Sequence, residues 1–486
     1  MHYSRRVPAP VHLPVLRLGV EYESLERLEL KSHRDGEPLA LVSQANAGMV
    51  RRDLLKASAG SDPLRDVPCA RLLEMCAEAA AHFMSATLPL NEAGETQSPE
   101  QYVAALSASS GLPHTLCRAN MEKVATVLRE MPGILRGLTR GMDLEVIDSG
   151  FAEQGGVPVC YARTADALGV VLPSNSPGVN SIWMPAIALK TPVVLKPGSE
   201  EPWTPLRIVR ALIAAGVPRA AFGFYPTDHE GAAAILDLCG RSLLFGDDRT
   251  TAPHAASPAI QVHGPGRSKV LVGADQIERW PEFLDVLADS VATNGGRSCI
   301  NASTVIVPAH ADALADALAK GLAALRPRDH DDEAAALSAF ADPRAAQAID
   351  AAIERGLAAG GAEDVSARYR AGPRLVQHDG GAYLLPTVVR CNSIDHPLAN
   401  TEYLFAFTSV VEMPQDEMIS RIGPSLVVSA ITKDPALRAA LVASPAIDRL
   451  NLGPIPTSRV EWDQPHEGNL FEFLYRRRAI QRDETW

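Results

Sequence analysis

Apolar positions along the 486-residue chain repeat with different periods in successive stretches, and those periods predict the elements. After a short extended start, residues 1–142 carry helical spacing, as in Ala70-Arg71-Leu72-Leu73-Glu74-Met75-Cys76 and in the run Asn120 to Leu128. These segments predict helices that clothe a sheet. Between 143 and 164 the pattern becomes Leu144-Glu145-Val146-Ile147, then Gly155-Gly156, then Val157-Pro158-Val159-Cys160-Tyr161-Ala162, which reads as a β-hairpin. A projecting hairpin offers an edge for subunit pairing. Continuous apolar runs follow at 168–173, 192–197, 242–245 and 259–262, with helices expected near 181–190 and at 204–215. Such alternation predicts a mostly parallel, doubly wound sheet that takes a ligand at the carboxyl ends of its strands.

A second α/β stretch opens at Val270-Leu271-Val272-Gly273 and continues through Thr304-Val305-Ile306-Val307. Alanine-rich helices are expected at 311–326 and 345–359, with 327–333 as a surface loop. The tail Phe471 to Arg478 alternates apolar and polar residues before turning basic, as an added edge strand would. His466-Glu467 reads either as a catalytic pair or as a buried pair bonded at an interface.

Composition narrows the class. Hydrophobic residues make up 46% and charged residues 21%, the balance of a packed globular enzyme. The net charge of −12 argues against nucleic acid or an anionic membrane as partner. Seven cysteines occur with no Cys-x-x-Cys spacing, so neither a disulfide framework nor a metal site is indicated. A reducing, cytoplasmic setting is expected, because no run of eighteen apolar residues and no secretion-type leader is present.

One cysteine stands apart. Cys299 closes the run Asn294-Gly295-Gly296-Arg297-Ser298-Cys299, where two glycines let the backbone approach a substrate while sulfur and amide face one carbonyl. Upstream, Asn175 is held between Pro173 and Pro177 at a strand end, and Lys196 ends another strand before Pro197-Gly198-Ser199. Phe245-Gly246-Asp247-Asp248, Gly264-Pro265-Gly266 and Thr401-Glu402-Tyr403-Leu404-Phe405 complete the set.

In that order the motifs resemble the aldehyde dehydrogenase superfamily over about residues 165 to 460. The resemblance implies an α/β, aldehyde dehydrogenase-like fold with a Rossmann-type cofactor domain, an α/β catalytic domain and a small β oligomerisation element. Its boundaries would be 1–142 with 165–265 for the cofactor, 266–445 for the thiol, and 143–164 with 446–486 for oligomerisation. It makes Cys299 the nucleophile and Asn175 the side-chain donor to the oxyanion. Ser174, Lys196, Ser199, Gly246, Gly264, Gly266 and Glu402 would then bind NAD or NADP, with Lys196 on the adenosine ribose and Glu402 on the nicotinamide ribose. A homodimer or homotetramer follows, with the hairpin and the C-terminal strand pairing across subunits.

The chain departs from the family at one point. Hydrolytic members carry a Glu-Leu-Gly-Gly-Lys type motif whose glutamate activates water; here the stretch is Gln261-Val262-His263-Gly264-Pro265-Gly266, and His263 takes the nearest position. The Gly-Pro-Gly turn looks like that of CoA-acylating members, whose thioester is released by the coenzyme A thiol. The favoured expectation is therefore conversion between an aldehyde and an acyl-CoA. Two rivals stand beside it: hydrolysis with His263 as base, and a nucleotide-binding scaffold without catalysis.

Overall fold

The structure, a computed structural model, describes residues 10–58, 60 and 62–481. Two seven-stranded sheets organise it. The first runs in the order Ile260–His263, Gly240–Phe245, Ala167–Val171, Val193–Lys196 and Phe222–Phe224, all parallel, and ends with the antiparallel strands Val15–Arg17 and Val20–Tyr22. Its central members are runs such as Val193-Val194-Leu195, buried on both faces, which is why they read as continuous apolar stretches. Strand order reverses between Ala167–Val171 and Gly240–Phe245. A crevice opens at such a reversal, beyond the strand carboxyl ends.

The second sheet runs Ala362–Asp364, Thr387–Cys391, Phe407–Glu412, Ala302–Val307, Ser268–Val272, Ser425–Ile431 and Ile447–Leu452. Only the first of these is antiparallel to its neighbour. Ile447–Leu452 therefore belongs to the thiol sheet, whereas the sequence placed everything after 445 with the oligomerisation segment. A third sheet joins Phe151–Gln154, Val157–Arg163 and Tyr475–Arg478.

Several expectations are corrected. Leu144-Glu145-Val146-Ile147 is not a strand: Glu145–Ser149 forms a short helix that Gly150 ends in the left-handed region (φ 74°). Asp148 on that helix accepts from the Cys69 amide at 3.0 Å and from Lys190 Nζ at 2.7 Å, which anchors it inward. The helix expected near 181–190 is a 3₁₀ turn at Pro177–Ile182 followed by a single turn at Pro185–Ala188. In the tail, Asn469 accepts from the Phe471 and Glu472 amides and starts a helix at Leu470–Leu474; the strand begins only at Tyr475. That strand pairs with Val157–Arg163 of its own chain and forms one edge of the sheet. The start is also richer in strands than its pattern suggested, because three-residue strands such as Val11–Leu13 are too short to show a period.

Candidate active site

Strand ends from the first sheet and a loop of the second meet around one cavity of about 760 Å³. Ala167–Val171 delivers Ser174 and Asn175, Gly240–Phe245 delivers Gly246 and Asp247, and Ile260–His263 delivers His263 and Gly264. Arg297, Ser298, Cys299 and Glu402 border it from the second unit, and Val460, Trp462, His466 and Glu467 from the C-terminal segment.

The thiol loop is held by backbone geometry. Asn294, Gly295 and Gly296 all have positive φ (57°, 66° and 73°), so the chain doubles back before Cys299. A Cβ at Gly296 would run into the backbone of Phe405 and Ala406. Asn294 fixes the turn, accepting from Asn120 Nδ2 at 2.8 Å and donating to Ser176 and Ser298 at 3.2 and 3.1 Å. Asn301 accepts from the Ser298 amide at 2.9 Å, and Ser268 Oγ donates to the Cys299 carbonyl at 2.9 Å. Asn175 Nδ2 donates to the Arg297 carbonyl at 3.0 Å, which ties the carboxamide to the loop bearing the sulfur.

Cys299 is the only cysteine among the described residues that is not buried by surrounding chain. Its thiol is pushed up to about 12, first by desolvation, then by the carboxylates of Glu402 and Glu467, while Lys123 opposes them. The resting group is a protonated thiol. Glu402 is itself raised to about 7 by burial, against the pull of the Gly266 and Arg267 amides. One of its oxygens accepts from Arg267 N at 2.8 Å, so the carboxylate braces the Gly-Pro-Gly turn and borders the cavity together.

His263 gains from a distant segment the carboxylate that its own motif lacks. Glu467 Oε2 takes its Nδ1, the ring stacks on Phe245 (centroids 4.4 Å apart, planes 11°), and Nε2 is buried without a partner. Gln261 Nε2 donates to the Glu467 carbonyl and ties the C-terminal segment to the same strand. His466 and Glu467 therefore do not form a pair with each other. His466 Nδ1 accepts instead from Arg449 at 3.2 Å.

Three glycines were expected at the cofactor, Gly246, Gly264 and Gly266, and only the first two border the cavity. Gly264 lines it; a Cβ at Gly266 would strike the Cys299 carbonyl, so that glycine serves the close packing of the thiol loop. Ser199 is exposed and, like Lys196, is not part of the cavity wall. Lys196 carries a half-buried amine, lowered by desolvation, with no hydrogen-bond partner among the described residues.

Residues 20–422 match the sequence profile of the Aldehyde dehydrogenase family. The chain belongs to that family. Among curated aldehyde dehydrogenases, the protein named Putative succinate-semialdehyde dehydrogenase (NADP+) 2 of Mycobacterium tuberculosis is 29% identical over 167 residues, 32% of this chain and 30% of that one. Vanillin dehydrogenase of a Pseudomonas species is 28% identical over 228 residues, 42% of this chain and 46% of that one. The chain thus matches less than half the length of these relatives. Among solved structures, indole-3-acetaldehyde dehydrogenase with NAD+ superposes with a TM-score of 0.78 at 18% identity, covering 97% of each chain. A NAD-dependent aldehyde dehydrogenase from Sinorhizobium meliloti gives 0.77 at 17% identity, covering 98% of this chain and 96% of that one. At such identity they show the aldehyde dehydrogenase fold.

The donor set fits a nicotinamide dinucleotide. The crevice lies at the reversal of a parallel sheet, Ser174 and Gly246 border it, and Lys196 holds an unspent amine at a strand end. Among the described residues no helix is long and apolar enough to cross a membrane, and no cluster of three metal-ligating side chains occurs. The pairing of Glu467 with His263 and the brace of Asn294 by Asn120 were not found from sequence. Both join residues more than a hundred positions apart and leave no local signal.

Proposed function

We propose that the chain oxidises an aldehyde with NAD(P)+ through a thioester on Cys299, and that water, activated at His263, releases the acid. The observation that carries this is the carboxylate of Glu467 on His263 Nδ1, in the cavity that Cys299 borders. A carboxylate on Nδ1 keeps a proton on that nitrogen and leaves Nε2 with the free lone pair of a base.

Cys299 loses its proton to a base in the cavity as Sγ bonds the aldehyde carbon. Asn175 and the Cys299 amide donate to the resulting alkoxide. When bound, the nicotinamide supplies the hydride acceptor that turns the alkoxide into a thioester. His263 Nε2 then takes one proton from water, the water oxygen bonds the carbonyl carbon, and as the C–S bond breaks His263 returns that proton to sulfur, giving acid and thiol. Lys196, Ser174 and Gly246 would hold the dinucleotide, and Glu402, which accepts from the Arg267 amide, braces the Gly-Pro-Gly turn.

Coenzyme A as acyl acceptor is the second reading, supported by the Gly-Pro-Gly turn and the lack of a carboxylate on its strand. Glu467 weakens that support, because the missing carboxylate arrives through space. Turnover is measured with aldehyde and NAD+ or NADP+, with and without CoA. Free acid at full steady-state rate without CoA supports hydrolysis; a single burst per site that continues only on adding CoA rejects it. Loss of acid formation with an intact burst in His263→Asn supports the histidine base.

A further inference from the structure

Most charged groups around the cavity are matched. Glu467 is on His263, Glu402 on the Arg267 amide, Asp247 on Thr250, and Asp342 on Arg344. Arg297 donates to the Ser110 carbonyl and lies over Phe340. Two are not: Glu200, whose carboxylate has no hydrogen bond or ion pair among the described residues, and, among the cations, Lys123. Lys123 stands on the helix His114–Arg129, turned to the cavity with Val127 one helical turn later, and its Nζ packs beside Gly178. Among the described residues it has no hydrogen bond and no ion pair.

A second cation stands behind it. Arg449, on the strand Ile447–Leu452, donates to His466 Nδ1 at 3.2 Å and to the Arg459 carbonyl at 2.9 Å, and among the described residues it too has no carboxylate partner. The charged groups that act on Lys123 are Cys299 and Arg449, and the one that acts on Arg449 is Cys299. His466, between them, is held well below the ordinary histidine range by burial and then by Arg449, Lys123 and His263, so it stays a neutral acceptor. Lys123 thus borders the cavity beside a protonated thiol, and no carboxylate is among the groups that act on it. Sequestered charge of one sign is costly unless an opposite charge joins it. The adjoining wall of Val127, Ile134, Leu138 and Trp462 is apolar and offers no such partner.

Resting on the thioester chemistry above, we propose that Lys123, backed by Arg449, binds the carboxylate of an aldehyde substrate that carries an acid at its far end. The apolar wall takes the methylenes between the two groups. Lys123 and Cys299 border the same cavity, so a short spacer joins the two groups. A carboxylate on Lys123 is a charge-assisted hydrogen bond in a sheltered site, a discrimination of about tenfold to a hundredfold.

The test compares kcat/KM for 4-oxobutanoate and for butanal, which have the same chain length and differ in the terminal acid. The full-length enzyme should favour 4-oxobutanoate, and Lys123→Met should lower the ratio of the two by about tenfold to a hundredfold, with Lys123→Arg restoring much of it. A ratio unchanged within twofold in Lys123→Met overturns the proposal, and so does an equal loss on both aldehydes, which would make Lys123 an activator of the thiol. A second measurement needs no turnover: alkylation of Cys299 by iodoacetate relative to iodoacetamide. The ratio should exceed that of a free cysteine peptide and fall in Lys123→Met. An anion preference without turnover on any aldehyde would sink the proposed oxidation and keep the anion site; turnover without charge preference would do the reverse.

Discussion

Alkylation of Cys299 by iodoacetamide in the ligand-free enzyme should accelerate about tenfold per pH unit from pH 7 to pH 10, with no plateau. The thiol is raised from an ordinary 9.0 to about 12, by burial first and by Glu402 and Glu467 next. At pH 8 that leaves roughly one thiolate in ten thousand, against about one in ten for an ordinary cysteine. The enzyme should therefore react about a thousandfold more slowly than a cysteine peptide of equal access. Intact-mass spectrometry reads the site cleanly, since Cys69, Cys76, Cys117, Cys160, Cys239 and Cys391 are buried. Glu402→Gln removes one of the opposing charges and should move the curve toward lower pH. A rate that levels off below pH 9, or that lies within tenfold of the peptide at pH 8, would refute the reasoning.

Three further outcomes follow from the geometry. Gly266→Ala drives a methyl into the Cys299 carbonyl and should cost about 1–3 kcal/mol in urea unfolding and slow the hydride burst, whereas Gly264→Ala, whose Cβ would sit 3.5 Å from Thr251 Oγ1, should be tolerated. Asn175→Ala should lower the hydride-transfer rate about a hundredfold to a thousandfold while cofactor affinity, read by fluorescence titration, holds. Glu402 is near 7 in the fold and 4.5 unfolded, so the folded state holds its proton longer and this group costs stability as pH rises from 4.5 to 7. Glu402→Gln should gain stability relative to the parent at pH 8 compared with pH 4; an equal difference at both would contradict the burial argument.

The parallel strands were legible because a strand buried on both faces is a plain apolar run, and Val193–Lys196 and Gly240–Phe245 lie where such runs predicted them. The order of motifs pointed to the family before any geometry was known. Short elements were not legible. Val146 and Ile147 look like strand residues, yet Asp148 and Gly150 decide for a helical turn. Phe471 to Leu474 alternates like a strand, yet the Asn469 side chain caps a helix there. The proposed release step rests on a contact across 204 positions: His263 lacks a carboxylate in its motif and gains one from Glu467. Lys123 looked like one more polar position on an amphipathic helix, because nothing local shows that its face looks into the cavity that Cys299 borders.

The central claim is a covalent acyl group on the sulfur of Cys299. The most direct measurement is rapid quenching of His263→Asn enzyme with aldehyde and NAD(P)+, followed by peptide mass spectrometry. A hydroxylamine-labile mass equal to the acyl group on the peptide containing Cys299, matched by one equivalent of reduced cofactor, is the predicted result. Reduced cofactor formed with no acyl mass on Cys299, or formed at the parent rate by Cys299→Ser, would contradict it.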